Sequence, residues 1–111
     1  MFEVGSPQIS TKVLLAPMSG ISDLPFRGQA QALGCSYVVS EMVASQELAA
    51  GRPDVVLRAA MQDEGLRVMQ LAGRDAHWMA EGAKHAEALG ADIIDINMGC
   101  PARKVTGLLS G

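Results

Sequence analysis

An excess of basic charge is missing from this sequence of 111 residues, and cysteine is scarce. The net charge is -3 at pH 7, which argues against a broadly basic nucleic-acid-binding surface, so any RNA site must be local. The two cysteines, Cys35 and Cys100, stand in a chain that shows no secretory leader. This usage favours reduced thiols over a disulfide scaffold, and we expect a cytoplasmic protein.

Long apolar runs are absent as well, although 49% of the residues are hydrophobic. No run approaches the roughly 20 residues that a membrane helix needs. The composition therefore predicts a globular chain with enough apolar material for a core and with no membrane span.

Two signatures of bound groups are also missing. No Gly-x-Gly-x-x-Gly follows the first apolar run, which removes the main sequence argument for a dinucleotide-binding Rossmann domain. His77 and His85 stand eight residues apart, whereas a spacing of three or four would bring both imidazoles to one metal ion. We therefore predict no metal site.

The sequence does contain a regular alternation of strand-like and helix-like segments. Strands are predicted at 13–16, 37–39, 66–71 and 91–97, and helices at 25–33, 42–50, 55–61 and 75–90. The first apolar run ends at Pro17, and a compact run bounded by a breaker is typical of a strand buried on both faces. Asp23 can cap the first helix, and Gly90 can end the last. The alternation predicts a parallel α/β fold, which half of a barrel and a doubly wound sheet fit equally well.

Small, polar or sulfur-bearing residues follow every predicted strand. In parallel α/β folds the ligand lies beyond the carboxyl ends of the strands, so these residues are candidates for a site. They are the segments 16–20 (APMSG), 40–42 (SEM), 70–73 (QLAG) and 97–101 (NMGCP).

Three side chains at these strand ends carry chemistry, and the residues alone leave their roles open. The Cys100 thiol lies in a turn between Gly99 and Pro101, where it could face a ligand or be an inert buried residue. A redox role is disfavoured because there is no Cys-x-x-Cys. Gln70 lies inside an apolar strand, so its amide needs a partner, either a ligand or a structural hydrogen bond. Asn97 presents the same alternatives.

The charged residues around the fourth predicted strand are weaker candidates for site residues. Asp92 and Asp95 are interpreted as cap, turn or network residues and are left outside the site. Arg103 and Lys104 follow the cysteine and could contact an RNA phosphate or be solvated charges. This basic pair alone therefore does not establish an RNA site.

Four segments together match the pattern of a known family. They are APMSGISDLPFR at 16–27, SEM at 40–42, QLAG at 70–73 and DINMGCPARKV at 95–105. The chain resembles the tRNA-dihydrouridine synthases, especially the bacterial branch first labelled as a nitrogen-regulation protein. The last segment is the most specific, because an Asn-x-Gly-Cys-Pro turn followed by two basic residues is a hallmark of that family.

The resemblance implies an FMN-dependent TIM (β/α)8 barrel that reduces specific uridines in tRNA to 5,6-dihydrouridine. Such an enzyme takes hydride from NADPH or NADH, stores it on the flavin and delivers it to C6 of the base. The same resemblance implies that Pro17, Met18 and Ser19 line the flavin ring and that Gln70 hydrogen-bonds its edge. We therefore expect FMN, a reduced nicotinamide and tRNA as cofactor, reductant and substrate.

The resemblance also assigns residues to the substrate. Cys100 would donate the proton to C5 of the uracil ring, and a thiol that is mostly protonated at neutral pH can act as such an acid. Asn97 would help to position the base. Arg103 and Lys104 would contact the tRNA.

The matching segments extend through nearly the whole chain, but a complete barrel needs on the order of 250 residues. Residues 1–111 are therefore expected to be the N-terminal part of an FMN-binding barrel domain, about four βα units, without the C-terminal half-barrel and the helical RNA-binding domain. Two alternatives remain. One is an FMN barrel oxidoreductase that acts on free pyrimidines, and the other is a truncated product without catalytic activity.

Overall fold

The computed structural model describes residues 2–5, 7–61 and 64–99, so Cys100, Arg103 and Lys104 lie outside the described residues. In chain order the elements are β1 (Phe2–Glu3), β2 (Gln8–Ile9), α1 (Leu24–Ala32), β3 (Val43–Ala44), α2 (Ser45–Ala49), α3 (Pro53–Arg58), β4 (Val68–Ala72), α4 (Ala76–Ala88) and β5 (Ile93–Asn97). Strands β1 and β2 form a small antiparallel hairpin. Strands β3, β4 and β5 form a parallel sheet.

The parallel sheet follows chain order. Strand β4 pairs with β3 on one side and with β5 on the other. Isolated parallel bridges continue the arrangement, one between Val39 and Val68 and one between Leu15 and Val38. Each strand-like segment in the described residues therefore lies beside its neighbour in sequence, and the predicted parallel α/β fold is confirmed.

The first predicted strand is shorter than expected. Leu15 forms a parallel bridge with Val38, and its N–H donates to the carbonyl of Tyr37 at 3.1 Å. Leu15 is the only residue of the fully described segment 13–16 that pairs as a strand does. Val13 and Leu14 are 77% and 46% exposed, so the expectation of burial on both faces is wrong. The reason is that, among the described residues, this segment has a strand neighbour on one side only.

Helices α1 and α4 each begin at an aspartate N-cap. The sequence predicts the cap at Asp23, and it places the start of the last helix at Asp75. The Asp23 carboxylate accepts a hydrogen bond from the Phe26 N–H at 3.0 Å at the start of α1. The Asp75 carboxylate accepts from the N–H groups of His77 and Trp78 at the start of α4. Helix α4 has 13 residues, and no helix in the described part of the chain combines the length and apolar character needed to cross a bilayer.

Part of the helix predicted at 42–50 is a strand instead. Val43 and Ala44 form β3, which pairs with Leu71 and Ala72 of β4, and α2 begins only at Ser45. Val43 is fully buried, so pairing and core packing override the local helix propensity of this segment.

The sheet has an apolar cluster on each face. Met69 and Leu71 of β4 pack in a cluster with residues of α2, α3 and α4. Val68 belongs to a second cluster, which includes Ile9 of the β1–β2 hairpin. Because side chains alternate along a strand, Gln70 lies on the same face as Val68, just beyond this second cluster.

Gly82 lies where α4 packs closely against α2. A Cβ atom added at Gly82 would lie 2.8 Å from Ser45 Cβ and 3.0 Å from Ser45 Cα. In Gly82→Ala the overpacking is expected to cost roughly 1–3 kcal/mol, because the two helices must move apart. Alanine gains about 1 kcal/mol of helix propensity, so we expect a net destabilisation of up to roughly 2 kcal/mol. Urea unfolding measures the change.

Gly28→Ala in α1 is the matched control for this prediction. Nothing lies within 4 Å of a Cβ added at Gly28, so only the helix-propensity gain remains, and stability should rise by up to about 1 kcal/mol. Equal effects of the two substitutions would contradict the close approach of α2 and α4.

Candidate active site

Three polar side chains lie together on the sheet face that carries the hairpin. In the β4–β5 register Gln70 is opposite Asp95, and Ala72 is opposite Asn97. Alternation along each strand places Gln70, Asp95 and Asn97 on the face of Val68. The sequence predicted that the amides of Gln70 and Asn97 need partners, and the structure provides partners within the chain.

A chain of hydrogen bonds joins these side chains. Gln70 Nε2 donates to Asp95 Oδ2 at 2.6 Å, and Asn97 Nδ2 donates to Gln70 Oε1 at 3.3 Å. Asn97 Oδ1 accepts from the Gly99 N–H at 3.0 Å, while Asn97 Nδ2 also lies 3.5 Å from Met42 Sδ. The middle of β4, the carboxyl half of β5 and the segment before β3 therefore meet at one polar cluster.

Ser40 supports the backbone of Gln70 from the neighbouring strand. Residues 39–43 lie opposite 68–71 of β4, so four steps along one strand match three along the other, as at a β-bulge. The Ser40 hydroxyl accepts from the Gln70 N–H at 3.0 Å and donates to the carbonyl of Glu41 at 3.0 Å. Ser40 is fully buried, and its hydroxyl satisfies a backbone donor at this irregular point of the ladder.

The loop after the first predicted strand is held by side-chain hydrogen bonds. Ser22 Oγ accepts from the Met18 N–H at 2.7 Å and donates to the Met18 carbonyl at 3.1 Å. Glu41 Oε1 accepts from the Gly20 N–H. Gly20 has φ of 77°, which glycine adopts without the strain that a side chain would cause. The loop is therefore fixed internally and to the segment before β3.

A buried arginine lies beneath this loop. Arg27 of α1 is 1% exposed, and its guanidinium donates to the carbonyl of Ser22 at 2.8 Å and to that of Ala60 at 2.7 Å. Its Nε atom is buried without a hydrogen-bond partner among the described residues. Burial lowers the pKa of the guanidinium, while the negative charges of Glu41 and Asp23 oppose that shift.

Sequence patterns do not single out Arg27, which is one residue of the longer motif at 16–27. Arginine is mostly exposed in proteins, and an arginine inside a short helix carries no local sign of burial. The matching motif was the one available signal, because it includes the arginine together with the loop that it holds.

The residues predicted to line a flavin lie in two places. Pro17, Met18 and Ser19 are in the loop, where Met18 is 36% exposed and Pro17 is half-buried. Gln70 lies on the sheet face and is 8% exposed. Two consecutive residues contact both places. The Ser40 hydroxyl accepts from the Gln70 N–H of β4, and the Glu41 carboxylate accepts from the Gly20 N–H of the loop.

The polar cluster also has an electrostatic neighbour. Burial raises the pKa of the Tyr37 phenol above its usual value, and the negative charge of Asp95 adds to the shift.

Within the described ranges, no group of three or more His, Cys, Asp and Glu side chains is placed to hold a metal ion. His77 instead packs edge-on against Trp78, with ring centroids 4.8 Å apart. The described cluster thus offers hydrogen-bond donors and acceptors to a ligand.

Comparison with known proteins finds relatives over almost the whole chain. The chain is 56% identical over 110 residues to a probable tRNA-dihydrouridine synthase of Rhodobacter capsulatus, covering 96% of this chain and 33% of the relative. It is 53% identical over 103 residues to a probable tRNA-dihydrouridine synthase of Rhizobium leguminosarum bv. phaseoli, with 93% and 32% covered. It is 45% identical over 109 residues to tRNA-dihydrouridine synthase B of Pseudomonas putida, with 97% and 32% covered.

These comparisons agree with a family profile. The chain spans about a third of the length of the curated relatives that it matches. The profile described as dihydrouridine synthase (Dus) matches residues 14–111, which include every segment that carried the resemblance. The resemblance inferred from those segments is confirmed, and the chain belongs to the dihydrouridine synthase family.

Proposed function

We propose that the whole protein is an enzyme that reduces specific uridines in tRNA to 5,6-dihydrouridine. The match to the family profile over residues 14–111 carries this proposal. The three relatives described above are named as tRNA-dihydrouridine synthases, which supports tRNA as the substrate class. The polar cluster supports it further, since it extends to Asn97 at the carboxyl end of β5, and ligand sites of parallel α/β folds lie at such ends.

The proposed scaffold is a TIM (β/α)8 barrel, of which residues 1–111 form the N-terminal part. Neighbouring strands of a barrel follow chain order, whereas a doubly wound sheet reverses its order at a switch point. The bridges at Leu15 and Val39 and the pairing of β4 with β5 keep chain order, which supports the barrel. A C-terminal half-barrel and a helical RNA-binding domain would complete the protein, which we place in the cytoplasm.

FMN is the proposed cofactor, with NADPH or NADH as reductant, and bound FMN would supply the hydride for C6 of the uracil ring. Gln70 fits the edge of a flavin ring. One Nε2 hydrogen is bound to Asp95 and one Oε1 lone pair to Asn97, which leaves one donor and one acceptor of the amide for the C=O and N–H groups of a flavin. The other proposed contacts come from the loop residues Pro17, Met18 and Ser19.

Cys100 is the proposed proton donor to C5. A thiol with an ordinary pKa of about 8.5 is mostly protonated at neutral pH, so it can act as a general acid without activation. Asn97 precedes it by three residues and is the proposed contact to the base. The base must leave its stack to reach such a site, which costs a few kcal/mol and least in a tRNA loop. Arg103 and Lys104 are the proposed contacts to the tRNA backbone.

Reduction of tRNA in vitro tests this proposal. The whole protein, purified with FMN and supplied with NADPH, is expected to add two hydrogen atoms to particular uridines of an unmodified tRNA transcript, as mass mapping of the digest would show. Omission of NADPH is the control. A preference for free uracil over tRNA would contradict the proposal and would favour a flavin barrel that acts on free pyrimidines.

A further inference from the structure

We propose that Asp95 is a positioning residue that fixes the orientation of the Gln70 amide, and thereby the donor and acceptor atoms that Gln70 offers to a bound ring. The inference deepens the function proposed above and rests on it for the identity of the ring. Its basis is the chain of hydrogen bonds that runs from the Gly99 N–H through both amides to the Asp95 carboxylate.

At each end of this chain of hydrogen bonds, the terminal group can only donate or only accept. The backbone N–H of Gly99 can only donate, so the atom of Asn97 that faces it must be the oxygen Oδ1. A carboxylate accepts, so the atom of Gln70 that faces Asp95 must be the nitrogen Nε2. Asn97 Nδ2 and Gln70 Oε1 are then left to face each other, and they are a donor and an acceptor 3.3 Å apart. The chain is therefore satisfied in one orientation of both amides.

Strand pairing holds Asp95 in its position. Asp95 is opposite Gln70 in the β4–β5 register, so the contact depends on the sheet and not on a mobile loop. Asp95 Oδ2 lies 2.6 Å from Gln70 Nε2, and a hydrogen bond to a carboxylate is charge-assisted and stronger than one between neutral groups. Asp95 therefore provides a fixed and strong acceptor.

The fixed orientation decides what the cluster presents to a ligand. With Asp95 in place, Gln70 keeps one N–H and one oxygen lone pair for a ligand, whereas the second N–H of Asn97 donates to Met42 Sδ at 3.5 Å. A reversed Gln70 amide would place two donors against each other at Asn97 and two acceptors against each other at Asp95. Loss of the acceptor at Asp95 would leave a buried N–H without a partner, and the orientation of the Gln70 amide would then depend on the longer contact with Asn97 at 3.3 Å alone.

Substitution of Asp95 in the whole protein tests the proposal through the dissociation constant of FMN, measured by flavin fluorescence. Asp95→Leu removes the acceptor and keeps a side chain that branches at Cγ, and the dissociation constant is expected to rise roughly 10- to 100-fold. Asp95→Asn keeps an oxygen acceptor, so a rise below about 5-fold is expected. Asp92→Asn is the control, because Asp92 binds the Arg67 N–H outside the chain of amides. Wild-type affinity in Asp95→Leu would overturn the proposal.

The double variant Gln70→Glu with Asp95→Asn separates orientation from packing. The new amide at position 95 can donate to the new carboxylate at position 70, so the pair is kept with reversed polarity. We expect the thermal midpoint to recover relative to Gln70→Glu alone, while FMN affinity stays low. Recovery of both quantities would show a structural pair only and would overturn the positioning role.

A readout without flavin distinguishes this inference from the proposed function. In apo protein labelled with 15N-glutamine, the Gln70 side-chain resonance is identified by its loss in Gln70→Glu. Asp95→Leu is expected to shift its hydrogen-bonded Nε2 proton upfield, and Asp92→Asn is expected to leave it in place. Failure of the wild type to bind FMN would refute the proposed cofactor, whereas an unmoved Gln70 resonance would refute the role of Asp95.

Discussion

Cys100→Ala is expected to slow uracil reduction in tRNA by roughly 10²- to 10⁴-fold, the usual contribution of a general acid. FMN affinity and flavin reduction by NADPH should stay unchanged, because the substitution removes the proposed proton donor and not the hydride source. Single-turnover reduction of tRNA by protein whose flavin has been reduced beforehand measures this step alone.

Cys35→Ala is the matched control for this experiment. The Cys35 thiol lies 3.4 Å from the carbonyl of Tyr37, and Tyr37 belongs to the apolar cluster of the hairpin face, not to the polar one. We expect a wild-type rate in this variant. A wild-type rate in Cys100→Ala, or an equal loss of rate in both variants, would show that Cys100 is not the proton donor.

Arg27→Met is expected to destabilise the protein by about 2–5 kcal/mol, since each buried polar group left unpaired costs about 1–3 kcal/mol. Methionine can fill the space but cannot donate to the carbonyls of Ser22 and Ala60. Ser22 also holds both backbone groups of Met18, so the loop proposed to line the flavin should loosen and FMN affinity should fall. Urea unfolding and flavin fluorescence measure the two effects.

Arg52→Met provides the comparison on the surface. The Arg52 side chain is 55% exposed and pairs with Glu47 at 3.3 Å and with Asp54 at 3.5 Å. Exposed ion pairs contribute about 0–1 kcal/mol, so this variant should be nearly as stable as the wild type. If Arg27→Met lost no more stability than Arg52→Met, the buried guanidinium would not be the support of the loop.

Capping residues and apolar runs in the sequence correctly predicted α1, α4, β4 and β5. Helices α1 and α4 begin beside Asp23 and Asp75, and β4 and β5 lie within two residues of the predicted bounds. The errors occur where distant partners decide the structure. The segment 13–16 has a strand neighbour on one side only among the described residues, and β3 forms because it pairs with β4.

The candidate site shows the same division. A polar residue in an apolar strand predicts a need for partners, and this argument identified Gln70 and Asn97. Their shared partner network depends on the strand register, which brings Asp95 to Gln70 across 25 residues of sequence. Arg27 could not be predicted from its surroundings, because the carbonyl of Ala60 that it binds is 33 residues away.

The dihydrouridine content of tRNA from a strain that lacks the gene tests the proposed function most directly. Mass spectrometry of digested tRNA, mapped to positions, is expected to show dihydrouridine lost at particular sites and restored by the wild-type gene but not by Cys100→Ala. Unchanged dihydrouridine at every position, in a strain without a second gene of this family, would contradict the assignment of tRNA reduction to this protein.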